Sequence, residues 1–477
     1  MMKMGLARTT WIVGLTALAL VACGGGGGGA SGGATAGIDR GGIVASGPIT
    51  GFGSVYVNGV RYATTGASIT VDDQPGTESD LRIGQVVRIE GSLDASGTTG
   101  TATRIVFDDE AEGPIQSIDL AASRMVVLGR TINVGSSTSF DDRIVPRSLE
   151  GLVVGDRVEV SGLVASDGAV SATRIERKAS QSSVEVKGAV ASLDTTARRF
   201  ALGQMTVSYA AAQLSGFASG QPANGDSVEA VGTIDGAGVL VASRIEKEDG
   251  SSGSNDQQAD YEGLITRFVS PTDFSVASQR VTTTSSTVYK GGSAASLALD
   301  VAIEVEGRFN ASGVVVATEI EFRQEGDLEL AARVDSVSAA GNSLVILGVT
   351  VRTNSLTRFE DHSSAEIERF SLVNVNPGDY VEVRGYNDGT GFLATLLERD
   401  DDQSSVDLEG PAQAVAAPSF TVGGVAVTTD GNTEFRDNNG VTISASTFFQ
   451  LAPGQLVKVR GTLVGNTVLA ERAELDD

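Results

Sequence analysis

The sequence predicts an all-β protein built from six tandem small five-stranded barrels of OB type. Short apolar runs rich in Val, Ile and Thr alternate with glycine turns, a pattern of strands rather than helices. Two marker strings recur together six times, in phase. Each copy has room for strand, strand, strand, short helical turn, strand, strand, which fits a small barrel of this kind. With 477 residues the chain exceeds one small core, and 41% apolar residues is the composition of packed domains.

Copy two shows the elements in order. Gly113-Pro114-Ile115 opens it. Met125 to Gly129 followed by Ile132 to Val134 reads as a hairpin, because apolar alternation is broken by glycine. Thr138-Ser139-Phe140 is a Thr-x-aromatic stretch, repeated as Thr357-Arg358-Phe359 and Thr433-Glu434-Phe435. Ser148 to Leu152, like Ser363 to Leu372, has space for one or two helical turns.

The first marker follows as Gly155-Asp156-Arg157-Val158-Glu159-Val160-Ser161-Gly162. It returns as Gly225 to Gly232 and Gly378 to Gly385, and more loosely in copies ending at Gly91, Gly307 and Gly461. The closing glycines lie 71, 70, 75, 78 and 76 residues apart. Val158 and Val160 are expected to face a core and Glu159 to face outward. The closing glycine is expected to supply a positive φ or a sharp bend. The second marker is Ala172-Thr173-Arg174-Ile175-Glu176, with relatives starting at Ala102, Ala242, Ala317, Ala394 and Ala470.

These markers divide the chain into modules at 47–108, 113–178, 186–248, 261–323, 329–399 and 408–477. Polar stretches separate them, among them Asp249 to Asp260 and Asp400 to Asp407, so the modules are expected mostly as beads on short, exposed linkers. Residues 1–22 read as a signal peptide. Lys3 and Arg8 precede an apolar run, Trp11 to Leu20, that is too short to span a bilayer. Leu20-Val21-Ala22-Cys23 resembles the lipobox of bacterial lipoproteins, which implies lipidation at Cys23. Gly24 after that cysteine implies sorting to the outer membrane, on a face the sequence leaves open. Residues 23–46 are expected to be the lipidated Cys and a glycine-rich tether.

The tandem markers behind a lipobox and a glycine tract resemble the bacterial lipoprotein modules of domain-of-unknown-function family 5666. The resemblance covers nearly all the mature chain and implies architecture and location, but no reaction. Copy four departs, with Asp300-Val301 in place of Gly-Asp, and copies one and six carry Gly84-Gln85 and Gly454-Gln455.

The missing residue types exclude much chemistry. A net charge of −25 disfavours nucleic acid. Cys23 is the only cysteine and His362 the only histidine, so triads and zinc sites lack their parts. His362 is expected to be a satisfied surface residue. Calcium needs only oxygen ligands. Its candidate groups are Asp72-Asp73, Asp108-Asp109-Glu110-Glu112, Asp141-Asp142, Asp400-Asp401-Asp402 and Asp437-Asn438-Asn439-Gly440. None has the EF-hand spacing, and they read as solvated turns. Phe140, Phe200, Phe274, Phe359 and Phe420 read as core. No acidic residue occupies one position in all six copies; Glu159, Glu229, Glu304 and Glu382 align with Arg88 and Lys458.

The expectation is therefore a non-enzymatic, lipid-anchored envelope repeat protein with no catalytic residues, metal or cofactor. It would act as a spacer, adhesive or multivalent binding array. Its partners would be the membrane, through its lipid, and an unidentified envelope protein or glycan. The competing expectation is an envelope enzyme with a carboxylate-based site in one divergent copy.

Overall fold

A computed structural model describes residues 42–248, 253–324 and 326–476. The expected signal peptide, Cys23 and most of the tether lie outside the described residues. All six modules are closed five-stranded barrels. In module 2 the strands are β1 (Ala111–Asp119), β2 (Arg124–Val127), β3 (Arg130–Phe140), β4 (Arg157–Val164) and β5 (Val170–Arg177). They close in the order β1-β2-β3-β5-β4-β1, with β3 and β5 parallel and the other pairs antiparallel. The other five modules repeat this order. Val158 and Ile175 are both fully buried in the barrel core, as alternation required. Between β3 and β4 only a short 3₁₀ turn forms, Leu149–Gly151; module 6 has a true helix there, Ala445–Leu451.

The structure explains the markers. The first glycine lies in the left-handed region, at φ 95° in Gly155 and 94° in Gly378. Module 4 keeps the same conformation with Asp300 at φ 63°, so its departure in sequence is not one in backbone. The following Asp accepts a bond from the backbone three residues earlier: Asp156 from Val153 at 3.0 Å, and Asp379 from Asn376 at 2.9 Å. Gln85 does the same for Arg82 at 2.8 Å, so Gln replaces Asp without loss of the turn.

Of the two roles expected of the closing glycine, the bend holds and the positive φ does not. The glycine sits at a β-bulge where the facing strand comes too close for a Cβ. A Cβ on Gly385 would lie 2.0 Å from the Leu393 carbonyl oxygen, and one on Gly461 2.2 Å from that of Leu469. The Thr of the Thr-x-aromatic stretch ties the two markers together. Its hydroxyl donates to the carbonyl of the marker alanine: Thr138 to Ala172 at 2.8 Å, Thr357 to Ala394 at 2.7 Å and Thr433 to Ala470 at 2.7 Å.

The bead arrangement does not hold. The barrels are joined in pairs through their first strands. Module 2 β1 runs antiparallel to the first strand of module 3 (Val184–Asp194), with Glu112 opposite Glu185. The first strands of modules 5 (Leu328–Ser338) and 6 (Val406–Ala416) pair in the same way, with Glu329 opposite Glu409. Modules 1 and 4 pair in parallel, through Ile43–Gly51 and Gln258–Ser270. The reason is an edge. Each first strand offers backbone donors and acceptors beyond those that close its own barrel, and a second first strand satisfies them. These strands begin a few residues earlier than composition suggested, and Ile43 falls inside the expected tether. Modules 2 and 3 share one continuous apolar core, as do 5 and 6, while modules 1 and 4 keep separate cores, with Val44 of module 1 packed into that of module 4. The joints are also shorter than linkers: only Asp108 to Glu110 separates the last strand of module 1, Thr99–Phe107, from β1 of module 2.

Candidate functional site: a charged seam and cleft between modules

The marker glutamates point out of their own barrels, but another module covers them. Glu159, Glu229 and Glu304 are all buried. Each has a cation: Lys178 for Glu159, Arg244 for Glu229 and Arg323 for Glu304. Glu382 pairs with Arg384. Burial pushes Glu159 and Glu382 up to about 8 and Glu229 to about 7, against the pull of these cations. At the junction of modules 1 and 4, the Asn58 amide donates to the buried Asp260 carboxylate at 2.7 Å.

His362 follows the module 5 strand Arg358–Asp361 and is not a surface residue. Its side chain is only 6% exposed. Nδ1 bonds Asp142 of module 2, Nε2 lies 3.1 Å from Glu398, and its backbone N–H donates to the Arg399 carbonyl at 2.8 Å. Burial alone would lower its pKa. The bonds to Asp142 and Glu398 outweigh that and raise it to about 10. At neutral pH the ring is an imidazolium with both N–H groups engaged, so it has no lone pair to act as a base. It clamps module 5 to module 2.

Two buried arginines extend the clamp. Arg358 of module 5 donates to Ser139 Oγ at 3.4 Å, to the Thr173 carbonyl at 3.2 Å and to the Ser137 carbonyl, all in module 2. Arg174 of module 2 reaches the Ile83 carbonyl of module 1 at 3.1 Å and Glu360 of module 5 at 3.4 Å. Modules 1, 2 and 5 thus meet, and between them lies an open cleft of about 810 Å³. Phe52, Phe140 and Phe359 contribute its aromatic surface, and Arg82, Arg143 and Arg369 its cations. Phe140, Phe200, Phe274 and Phe420 are buried as expected, but Phe359 is only half-buried. No helix among the described residues is long and apolar enough to cross a membrane.

The acidic groups fare differently from solvated turns. Glu110 pairs with Arg130 at 2.9 Å and Glu112 with Arg157 at 2.7 Å. Asp141 holds Arg143, Asp73 holds Arg244, and Asp402 pairs with Arg333. Asp401 accepts the Ser364 N–H at 2.9 Å. Asp437-Asn438-Asn439-Gly440 behaves as an ordinary turn, with Asp437 accepting from Asn439 and Val441, and Asp401 and Asp402 are exposed as expected. Asp72 and Asp109 approach Glu159, with one carboxylate oxygen of each within 4.8 Å of the others. No spacing in the sequence could reveal that group, because its members come from two modules and the joint between them.

No curated protein matches the chain. A solved chain described as drosophila Unr CSD456 aligns at 14% identity, over 44% of this chain and 98% of its own length, with a TM-score of 0.14. The family model "Domain of unknown function (DUF5666)" matches six times, at residues 42–106, 112–176, 187–246, 262–321, 332–398 and 409–474. Those matches fall on the six barrels and take in most of the sequence, so the chain belongs to the DUF5666 family.

Proposed function

We propose that the chain is a non-catalytic, lipid-anchored protein of the bacterial cell envelope, whose fused barrels present the cleft between modules 1, 2 and 5 to another envelope component. One observation carries this reading: the only histidine is locked between two carboxylates as an interface clamp. The repeated markers likewise build turns, bulges and seams rather than a reactive group. The lipobox ending at Cys23 supports the anchor, and Gly24 supports the outer membrane. Paired barrels favour a binding scaffold over an extended spacer. A carboxylate enzyme in divergent module 4 has less support. The acids gathered there, Asp260 and Glu304, are buried against Tyr62 of module 1 and held by Asn58 and Arg323.

The test is site-specific photocrosslinking in intact cells. A crosslinker at Arg369, on the cleft rim, is expected to capture one envelope component reproducibly. The same group at the exposed Val464 of module 6 is expected not to. Equal capture from both positions would refute the cleft as the binding face. Fatty-acid labelling of the wild type and not of Cys23→Ser tests the anchor separately.

A further inference from the structure

We propose that Asp72, Asp109 and Glu159 form a binding site for a hard divalent cation such as calcium that fastens module 1 to module 2. The three carboxylates come from three segments. Asp72 is in the tight turn between the module 1 strands Ser68–Val71 and Gln74–Gly76. Asp109 is in the joint between the two modules, and Glu159 is on module 2 β4. The Asp72 N–H donates to the Phe107 carbonyl at 3.0 Å, which places the turn beside the end of the module 1 strand that leads into the joint. One oxygen from each carboxylate lies within 4.8 Å of the other two. Calcium takes oxygens at about 2.3–2.6 Å, so ligand oxygens around it stand roughly 3–5 Å apart. An all-oxygen set suits calcium or magnesium and not zinc.

The second observation is Asp109 itself. It is fully buried, and neither of its carboxylate oxygens has a hydrogen-bond partner. Asp72 Oδ1 is buried and unpartnered as well. Such groups cost several kcal/mol unless something neutralises them. The neighbouring cations do not suffice. Lys178 is paired with Glu159, and Lys187 lies 3.9 Å from both Asp108 and Glu229. Further acids crowd the group: Asp108, Glu112, Glu176 and Glu185. In the deprotonated form that a metal requires, three carboxylates against the one ammonium carry two negative charges, which a divalent ion balances. A cavity of about 370 Å³, lined by Asp72, Glu159 and Lys178, gives the ion a way in.

The experiment uses the full-length protein in detergent, stripped with EDTA and titrated with calcium chloride by calorimetry, with melting followed in parallel. Wild type is expected to give a saturable isotherm and a rise in Tm that sodium chloride at equal ionic strength does not reproduce. Asp109→Asn is expected to weaken binding at least tenfold and to lose the calcium-dependent rise. Without calcium it should be no less stable than wild type, because the substitution removes a buried carboxyl that has no hydrogen-bond partner. Asp437→Asn, in the exposed turn, should behave as wild type. If Asp109→Asn does not fold, Glu159→Gln serves as the second variant with the same expectation. The proposal is overturned if wild type gains nothing from calcium, or if sodium chloride gives the same gain. It is equally overturned if Asp109→Asn, or Glu159→Gln in its place, binds calcium as tightly as wild type.

Discussion

Arg147 and Asp400 lie 253 residues apart in sequence, yet one guanidinium nitrogen of Arg147 stands 2.6 Å from both carboxylate oxygens of Asp400. Arg147 belongs to the loop before module 2's 3₁₀ turn, and Asp400 ends the last strand of module 5, Phe392–Asp400. The contact pins one end of a polar joint whose next four residues, 401 to 404, are exposed. Proteases should therefore cut this joint at 401–404 rather than across 400–407. Arg147→Ala should speed that cut several-fold while costing only roughly 1–2 kcal/mol, since both side chains keep some contact with water. Unchanged cleavage kinetics would show that the pair does not hold the joint.

A charge placed in one barrel should spread to its paired neighbour. Val158 is fully buried in the core shared by modules 2 and 3. Val158→Asp buries an unpaired carboxylate, at a cost of several kcal/mol. Hydrogen exchange should then show loss of protection over both modules 2 and 3, with modules 5 and 6 retaining theirs. Loss confined to module 2 would show that the shared core does not couple the pair.

Local order was legible in the sequence, and assembly was not. Val158 and Ile175 are buried because strand alternation is a local rule, and the barrel order follows from five such strands and a turn. The position of Glu159 shows where that reasoning stops. Alternation places its side chain outside the barrel, but whether water or another module waits there depends on first-strand pairing. His362 shows the same limit: its partners Asp142 and Glu398 are 220 and 36 residues away. The closing glycines had a readable role, the bend, but the sequence could not show what requires a glycine there. Their constraint is a carbonyl on the facing strand rather than their own φ.

The two marker glycines should respond differently to alanine. Gly155 has a left-handed φ, and no atom stands within 4 Å of where an added methyl would lie, so Gly155→Ala should cost only about 1 kcal/mol. Gly385→Ala would drive a Cβ into the Leu393 carbonyl and must open the bulge, at a cost of roughly 2–4 kcal/mol. Urea midpoints of the two variants compare them directly. Equal midpoints would refute the close-approach account of the closing glycine.

Stability should fall as pH rises from mildly acidic to alkaline. Burial pushes Glu159, Glu185 and Glu382 up to about 8, and Glu229 and Glu409 up to about 7. Between the ordinary carboxyl value of about 4.3 and those values, the folded chain holds protons that the unfolded chain has released. Raising pH through that window therefore favours unfolding. Two of these acids, Glu185 and Glu409, sit opposite Glu112 and Glu329 where barrels pair, so deprotonation also sets like charges against each other there. His362 acts in the same direction. Its folded pKa is raised from 6.5 to about 10, so its clamp is fully present below about 6.5 and is lost through 10. Opposing groups act only in stronger acid. Asp361 and Glu398 are held near 2, the first chiefly by its Arg399 bond and the second by Arg384 and His362, against the effect of burial. Their contribution is lost only as pH falls below about 4. The optimum should thus lie near pH 4–5, with stability falling steadily from there toward pH 9. Urea midpoints at fixed ionic strength in EDTA measure this, and Glu185→Gln should flatten part of the alkaline slope. A profile that is flat or rising between pH 5 and 9 would mean that the seam carboxylates are ionised throughout and that these interfaces are held by other contacts.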